Sequence, residues 1–199
     1  VKKENILYAE GKVTVSYKGK FLNSDNLIYD KSRKKIIATG NISLIVGRQI
    51  LKMSKLEYDF KNKKGYLLDV TGYLNTNNLI DDIYDSFSNS DIQKIESLLN
   101  IPKKEVTNTP NKVENWIFYT DQIKIDEKIW TSKKAVFTND LLELKQVKIE
   151  INSLAVISKK EELKFKSSFN NLILDEALSI PFWLGERTLS KSRGTFNFA

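Results

Sequence analysis

The sequence predicts an all-β fold made of stacked, paired strands. Apolar and polar residues alternate with period two through residues 1–78, a pattern recurs there at 29 residues, and short strand-like runs resume after residue 114.

Ala9-Glu10-Gly11-Lys12-Val13 opens the first copy of the repeat and Leu27-Ile28-Tyr29-Asp30 closes it. Ala38-Thr39-Gly40-Asn41-Ile42 opens the second and Leu56-Glu57-Tyr58-Asp59 closes it. Gly11 to Gly40 and Tyr29 to Tyr58 are both 29 residues apart. Val13 and Val15 alternate with Thr14 and Ser16, and Leu27 with Tyr29, Ile42 with Leu44, and Leu56 with Tyr58 each share a face. Gly11, Gly19, Gly40, Gly47, Gly65 and Gly72 are expected between strands, where turns need a permissive backbone. Lys31 to Lys35 and Lys61 to Gly65 read as matching polar hairpin loops, and Tyr-Asp at a strand end reads as a turn signal. A third unit is expected to open at Val70-Thr71-Gly72-Tyr73, displaced by three residues.

The periodicity then changes. Leu79, Ile80, Ile83 and Phe87 recur at helical spacing, as do Ile92, Ile95, Leu98 and Leu99, with Ser90 and Gln93 placed for a capping box. This stretch carries −4, which leaves +11 on the rest of a chain of net charge +7. The expected organisation is strand repeats over 1–78, a helical insertion with a polar loop over 79–113, packed on one end of the sheets, and further strands over 114–199. Asp121-Gln122-Ile123-Lys124-Ile125-Asp126 echoes Asp25 to Asp30. Short strands are then expected at 129–131, 135–138, 144–151, 154–156, 163–165 and 172–174, about a dozen overall. Ile180 to Gly185 is apolar and broken by Pro181, and Phe196 to Ala199 starts a new alternation. That last run, with Val1 at the other end, reads as a piece of a longer or processed chain.

Composition excludes several chemistries. With no Cys and no His, nucleophilic Cys–His and Ser–His sites and His- or Cys-based zinc sites are ruled out. No run of about 18 apolar residues could cross a membrane as a helix. Lysine supplies 28 of the 32 basic residues and is scattered, so the charge reads as a solvated surface rather than a nucleic-acid site. Attraction to anionic lipid or glycan is the functional alternative. Glu161-Glu162 and Asp175-Glu176 are adjacent pairs that a strand would point to opposite faces, so neither suits paired-carboxylate hydrolysis. Trp116, Trp130 and Trp183 read as packing or interface residues. The expectation is a protein that is not an enzyme and needs no cofactor or metal.

The residues Tyr8 to Val13, then Leu22, Asp25, Leu27, Tyr29 and Asp30, then Ile37 to Ile42, resemble the OstA-type repeat of lipopolysaccharide-transport proteins. The resemblance is best over 6–74 and weaker over 116–138. The helical insertion and Leu178 to Phe182 are similar to the cyanobacterial-type variant of LptD-like outer-membrane assembly proteins.

This resemblance implies a twisted, partly open β-jellyroll built from stacked OstA-type repeats, with a small α-helical insertion. Its two sheets would form an apolar V-shaped groove for the acyl chains of lipopolysaccharide or a related glycolipid. It implies a periplasmic place at the outer membrane, edge-strand pairing with other jellyroll transport proteins, and a C-terminal outer-membrane β-barrel in the same chain. The expected groove lining is Val13, Val15, Leu27, Tyr29, Ile42, Leu44, Leu56, Tyr58, Ile123, Ile125, Phe137, Val147 and Ile149. Periodicity alone does not separate such a lining from ordinary sandwich core. A β-repeat scaffold that bridges proteins through edge strands, or a carbohydrate-binding β domain, are the alternatives.

Overall fold

In a computed structural model, which describes residues 5–17, 19–84 and 114–190, ten strands form one antiparallel sheet in strict sequence order that does not close into a barrel. They are β1 (Ile6–Tyr17), β2 (Lys20–Asp30), β3 (Lys35–Val46), β4 (Gln49–Asp59), β5 (Lys64–Asn75), β6 (Asn115–Asp126), β7 (Ile129–Thr138), β8 (Val147–Lys159), β9 (Glu162–Leu174) and β10 (Leu178–Ser190). A short helix, α1 (Leu79–Tyr84), follows β5. The all-β expectation holds.

The expected dozen short strands are ten long ones. The runs at 129–131 and 135–138 are one strand, as are 147–151 with 154–156, and 163–165 with 172–174; Pro181 lies inside β10. The physical reason is the β-bulge, which interrupts alternation without ending a strand. Gly11, Gly40, Gly65 and Gly72 accordingly lie within strands, and only Gly19 and Gly47 sit in turns.

The repeat signature is itself such a bulge. Gly11 and Lys12 have φ of 74° and 49°, Gly40 and Asn41 have 75° and 44°, and the pairing register shifts at both places. At Gly40 a Cβ would also lie 2.6 Å from the Asp25 carboxylate, so only glycine fits. Asp25 accepts a hydrogen bond from Asn41 Nδ2 at 2.8 Å, latching the bulge from the preceding strand. One period further, the Ser54 hydroxyl donates to Asp69, whose φ is 52°. The third opening is therefore at Asp69, in step with the 29-residue period, and not displaced to Gly72. Left-handed residues recur at Ser153 in β8 and Gly185 in β10.

Bulges bend strands and steepen twist, and the sheet curls over its own inner face. In a flat sheet Tyr17, at the far end of β1, would lie more than about 30 Å from Phe60, just after β4. Their rings are 5.9 Å apart. Phe60 also meets Tyr29 at 6.4 Å and Tyr58 at 5.1 Å, closing one end of the interior with four aromatic rings.

Two apolar clusters result. One joins β2 to β6 through Leu22, Leu27, Ala38, Ile42, Leu56, Leu67, Val70 and Phe118. The other joins β7 to β10 through Ala135, Ile151, Leu154, Leu163, Phe165 and Leu189, and is completed by Leu79 and Ile80 of α1. The helix is tied to the opposite end of the interior. Asp82 accepts from the Arg48 amide at 2.8 Å and from Gln49 Nε2 at 2.7 Å, while Gln49 Oε1 accepts from the Asn75 amide at 2.8 Å. The remaining helical positions expected over 85–99, their capping box, the polar loop to residue 113 and the run 196–199 lie outside the described residues.

Candidate apolar groove

Residues paired across antiparallel strands point to the same face. One row runs Leu7, Tyr29, Ile36, Tyr58, Gly65, Ile125, Trp130, Val156, Phe165 and Arg187, crossing all ten strands. Toward the other end, a second row runs Val15, Leu22, Leu44, Leu51, Gly72, Phe118, Phe137, Ile149, Leu172 and Ile180. Between them lie a row of Ala9, Leu27, Ala38, Leu56, Leu67 and Ile123, and the pair Ile42 and Met53. The inner face is thus a nearly unbroken apolar strip along the whole curl.

The two glycines in these rows are filled by neighbours. A Cβ on Gly72 would fall 1.8 Å from the Phe118 ring, and one on Gly65 would fall 2.8 Å from the Tyr58 ring and 2.3 Å from the Glu57 carbonyl oxygen. Each missing side chain makes room for an aromatic of the adjacent strand, so the strip stays continuous where β5 crosses it.

All thirteen expected lining residues share this face. Leu27, Ile42, Leu56 and Ile123 are fully buried core. Val13, Val15, Tyr29, Leu44, Tyr58, Ile125, Phe137 and Ile149 are half-buried against the two clusters, and Val147 is at the rim, 40% exposed. Burial, and next the Asp59 charge, push the Tyr58 hydroxyl above its ordinary pKa. The expectation missed Leu22, Leu51, Phe118, Trp130, Val156, Phe165 and Leu172 in the same rows, because the bulges hide which residues of neighbouring strands pair. It also did not anticipate that Leu79 and Ile80 occupy the inner face beside β8.

The outer face carries ion pairs beside a shorter apolar row of Phe21, Ile45, Ile50, Tyr73 and Ile117. Glu57 accepts from Tyr66 Oη at 2.6 Å and pairs with Lys35; the Lys35 bond first, and then the Tyr66 bond, hold its carboxyl below the usual range. An open depression of about 640 Å³ beside it is lined by Lys35, Glu57, Lys64, Tyr66 and Lys124 among others. Lys134 pairs with Glu150 at 2.7 Å, and Lys164 and Lys166 with Glu186 at 3.0 and 3.1 Å.

Tyr-Asp does act as a turn signal. Asp30 accepts from the Ser32 and Arg33 amides, both at 2.9 Å, and Asp59 from the Lys61 and Asn62 amides at 2.8 and 2.9 Å. The adjacent carboxylates are not mid-strand, as expected, but at turns. Glu162 begins β9 and pairs with Lys159 at 3.0 Å, and Asp175 and Glu176 both have positive φ between β9 and β10. Trp116 and Trp130 are half-buried, and Trp183 lies in β10.

Fold and strip together define a single-sheet, all-β protein whose inner face carries a nearly unbroken apolar strip. Residues 110–198 match a family described as "Protein of unknown function (DUF3769)". No curated protein matches the chain.

Proposed function

We propose that this chain is a non-enzymatic lipid-handling module of the bacterial envelope. It guides the acyl chains of lipopolysaccharide or a related glycolipid along the inner face, as a periplasmic OstA-like part of LptD-type outer-membrane assembly. The observation that carries this reading is the pair of apolar rows crossing every described strand of a sheet that does not close into a barrel. Burial of each CH₂ contributes about 0.8 kcal/mol, and many similar contacts suit a cargo that must move on. The 29-residue bulge unit supports the OstA-like assignment. Lipid contact falls on the half-buried residues of the two flanking rows, such as Tyr29, Leu44, Tyr58 and Ile149, since Leu27, Ile42, Leu56 and Ile123 are enclosed. Among the described residues the outermost strands, β1 and β10, expose Leu7, Tyr8, Leu178 and Ile180, which suits strand pairing with other jellyroll transport proteins or with an outer-membrane β-barrel. The closed middle rows favour a second reading, a bridging scaffold with plain core.

Native mass spectrometry with purified lipopolysaccharide and with its delipidated polysaccharide tests the proposal. It predicts a complex with the lipid form alone. Binding of the polysaccharide alone would favour a carbohydrate-binding domain, and binding of neither would favour the scaffold.

A further inference from the structure

The turns β2–β3 and β4–β5 are two copies of one device, 29 residues apart and side by side. The hydrogen-bond ladder runs beyond the strands to join such turns laterally. Lys31 N donates to Asn5 O at 2.7 Å, Phe60 N to Lys34 O at 2.9 Å, Glu127 N to Lys63 O at 2.8 Å, and Ser158 N to Lys128 O at 2.9 Å. The tips therefore form one ledge with neighbours about 10 Å apart, two strand spacings.

The β2–β3 and β4–β5 turns present positive charge: their own carboxylates, Asp30 and Asp59, are turned back onto the turn amides. In the next turn Asp126 pairs with Lys64 at 2.9 Å and Glu127 is exposed beside Lys63. Arg33 is 82% exposed and touches Asp30 only at 3.8 Å. Among the described residues no carboxylate pairs with Lys31, Lys34, Lys61 or Lys63, and all four are exposed. Lys34 and Lys63 occupy the same left-handed position, φ 53° and 54°, where glycine or asparagine is the low-cost choice. Backbone geometry does not ask for lysine there, yet it stands in both copies. Beside this ledge β1 exposes Ile6 at 41%, Leu7 at 48% and Tyr8 at 68%.

We propose that these two turns dock the protein on the surface of an anionic lipid bilayer. Exposed lysines on long flexible stems, next to an apolar and aromatic run, suit a headgroup interface, where charge meets lipid phosphate and the apolar side chains reach the acyl boundary. The lysine turns themselves lie outside the apolar rows, and Leu7 beside them is the β1 end of one row.

The test is flotation of the purified chain with vesicles of neutral phosphatidylcholine, or of the same lipid with about 30% phosphatidylglycerol, at low and high salt. Each lysine is expected to contribute about five-fold to partitioning. Lys34→Gly with Lys63→Gly relieves the left-handed strain while removing two charges. The double variant keeps or raises its melting temperature and loses about 25-fold in partitioning to anionic vesicles. High salt weakens the wild type in the same direction. Undiminished binding by the double variant, equal wild-type binding to neutral vesicles, or equally tight binding to soluble polyglutamate would each overturn the proposal.

Discussion

The two halves of the sheet reach the same architecture by different routes. From β1 to β6 a 29-residue unit recurs, and a bulge latched by a polar residue of the preceding strand curls the sheet until its own strands bury Ile42, Leu67 and Val70. From β7 to β10 no such period is present, and the core is completed by α1, whose Leu79 and Ile80 are 3% and 6% exposed. The first half is closed by repetition and the second by an inserted helix. The resemblance lies mainly on the first half, whereas the family match at 110–198 covers the second. The difference teaches that one continuous hydrogen-bond ladder can hold two cores completed in different ways, joined where Leu74 and Phe137 pack against both.

The largest expected effect breaks or keeps that separation. Ile80→Asp places a charge in the second cluster and costs about 4 kcal/mol. Hydrogen exchange should show lost protection in β7 to β10 with β2 to β5 retained; equal loss in both would mean one cooperative core. Next, Gly40→Ala should cost about 3 kcal/mol in urea denaturation, because positive φ and the Asp25 clash add. Gly11→Ala, with the same φ and nothing within 4 Å of its Cβ, should cost only about 1 kcal/mol. Equal costs would remove the latch from the account of the repeat. Asp82→Ala should cost about 2 kcal/mol and raise exchange in α1, since the Arg48 amide loses a charged acceptor.

The smallest effect concerns the outer face. Glu57→Gln should cost about 1 kcal/mol at neutral pH. The carboxyl is held below its ordinary value of 4.5, so its contribution is full above that value and is lost as pH falls through the folded-state value. The gap between wild type and variant should therefore close as pH falls below the folded-state value. A gap that persists there would assign the effect to packing and not to the Lys35 pairing.

Much of the fold was legible because strand alternation and a strict period are local signals. Tyr29-Asp30 and Tyr58-Asp59 marked their turns correctly, and Asp121 to Asp126 marked a third equivalent strand end. Glycine misled, because an interior bulge and a turn demand the same backbone freedom: Gly11 and Gly40 look like strand ends and are strand centres. Gly72 was mistaken for the third opening because Asp69 adopts the left-handed conformation without being glycine. Thirteen lining candidates share one face because alternation encodes facing. Whether each is enclosed depends on the curl, which places Tyr17 against Phe60 from strand ends far apart in register. The spacing of Leu79, Ile80 and Ile83 marks the helix, but neither the Tyr17–Phe60 contact nor the place of the helix beside β8 leaves a mark in the sequence pattern.

The central claim is that one apolar strip serves both halves. It is tested most directly by placing a photo-crosslinking amino acid at Leu44 in the first half, at Ile149 in the second, and at Lys52 and Lys124 on the outer face, in cells. The account predicts lipid adducts at Leu44 and Ile149 and none at the two lysine positions. Adducts at neither inner position, or equal adducts on both faces, would contradict it.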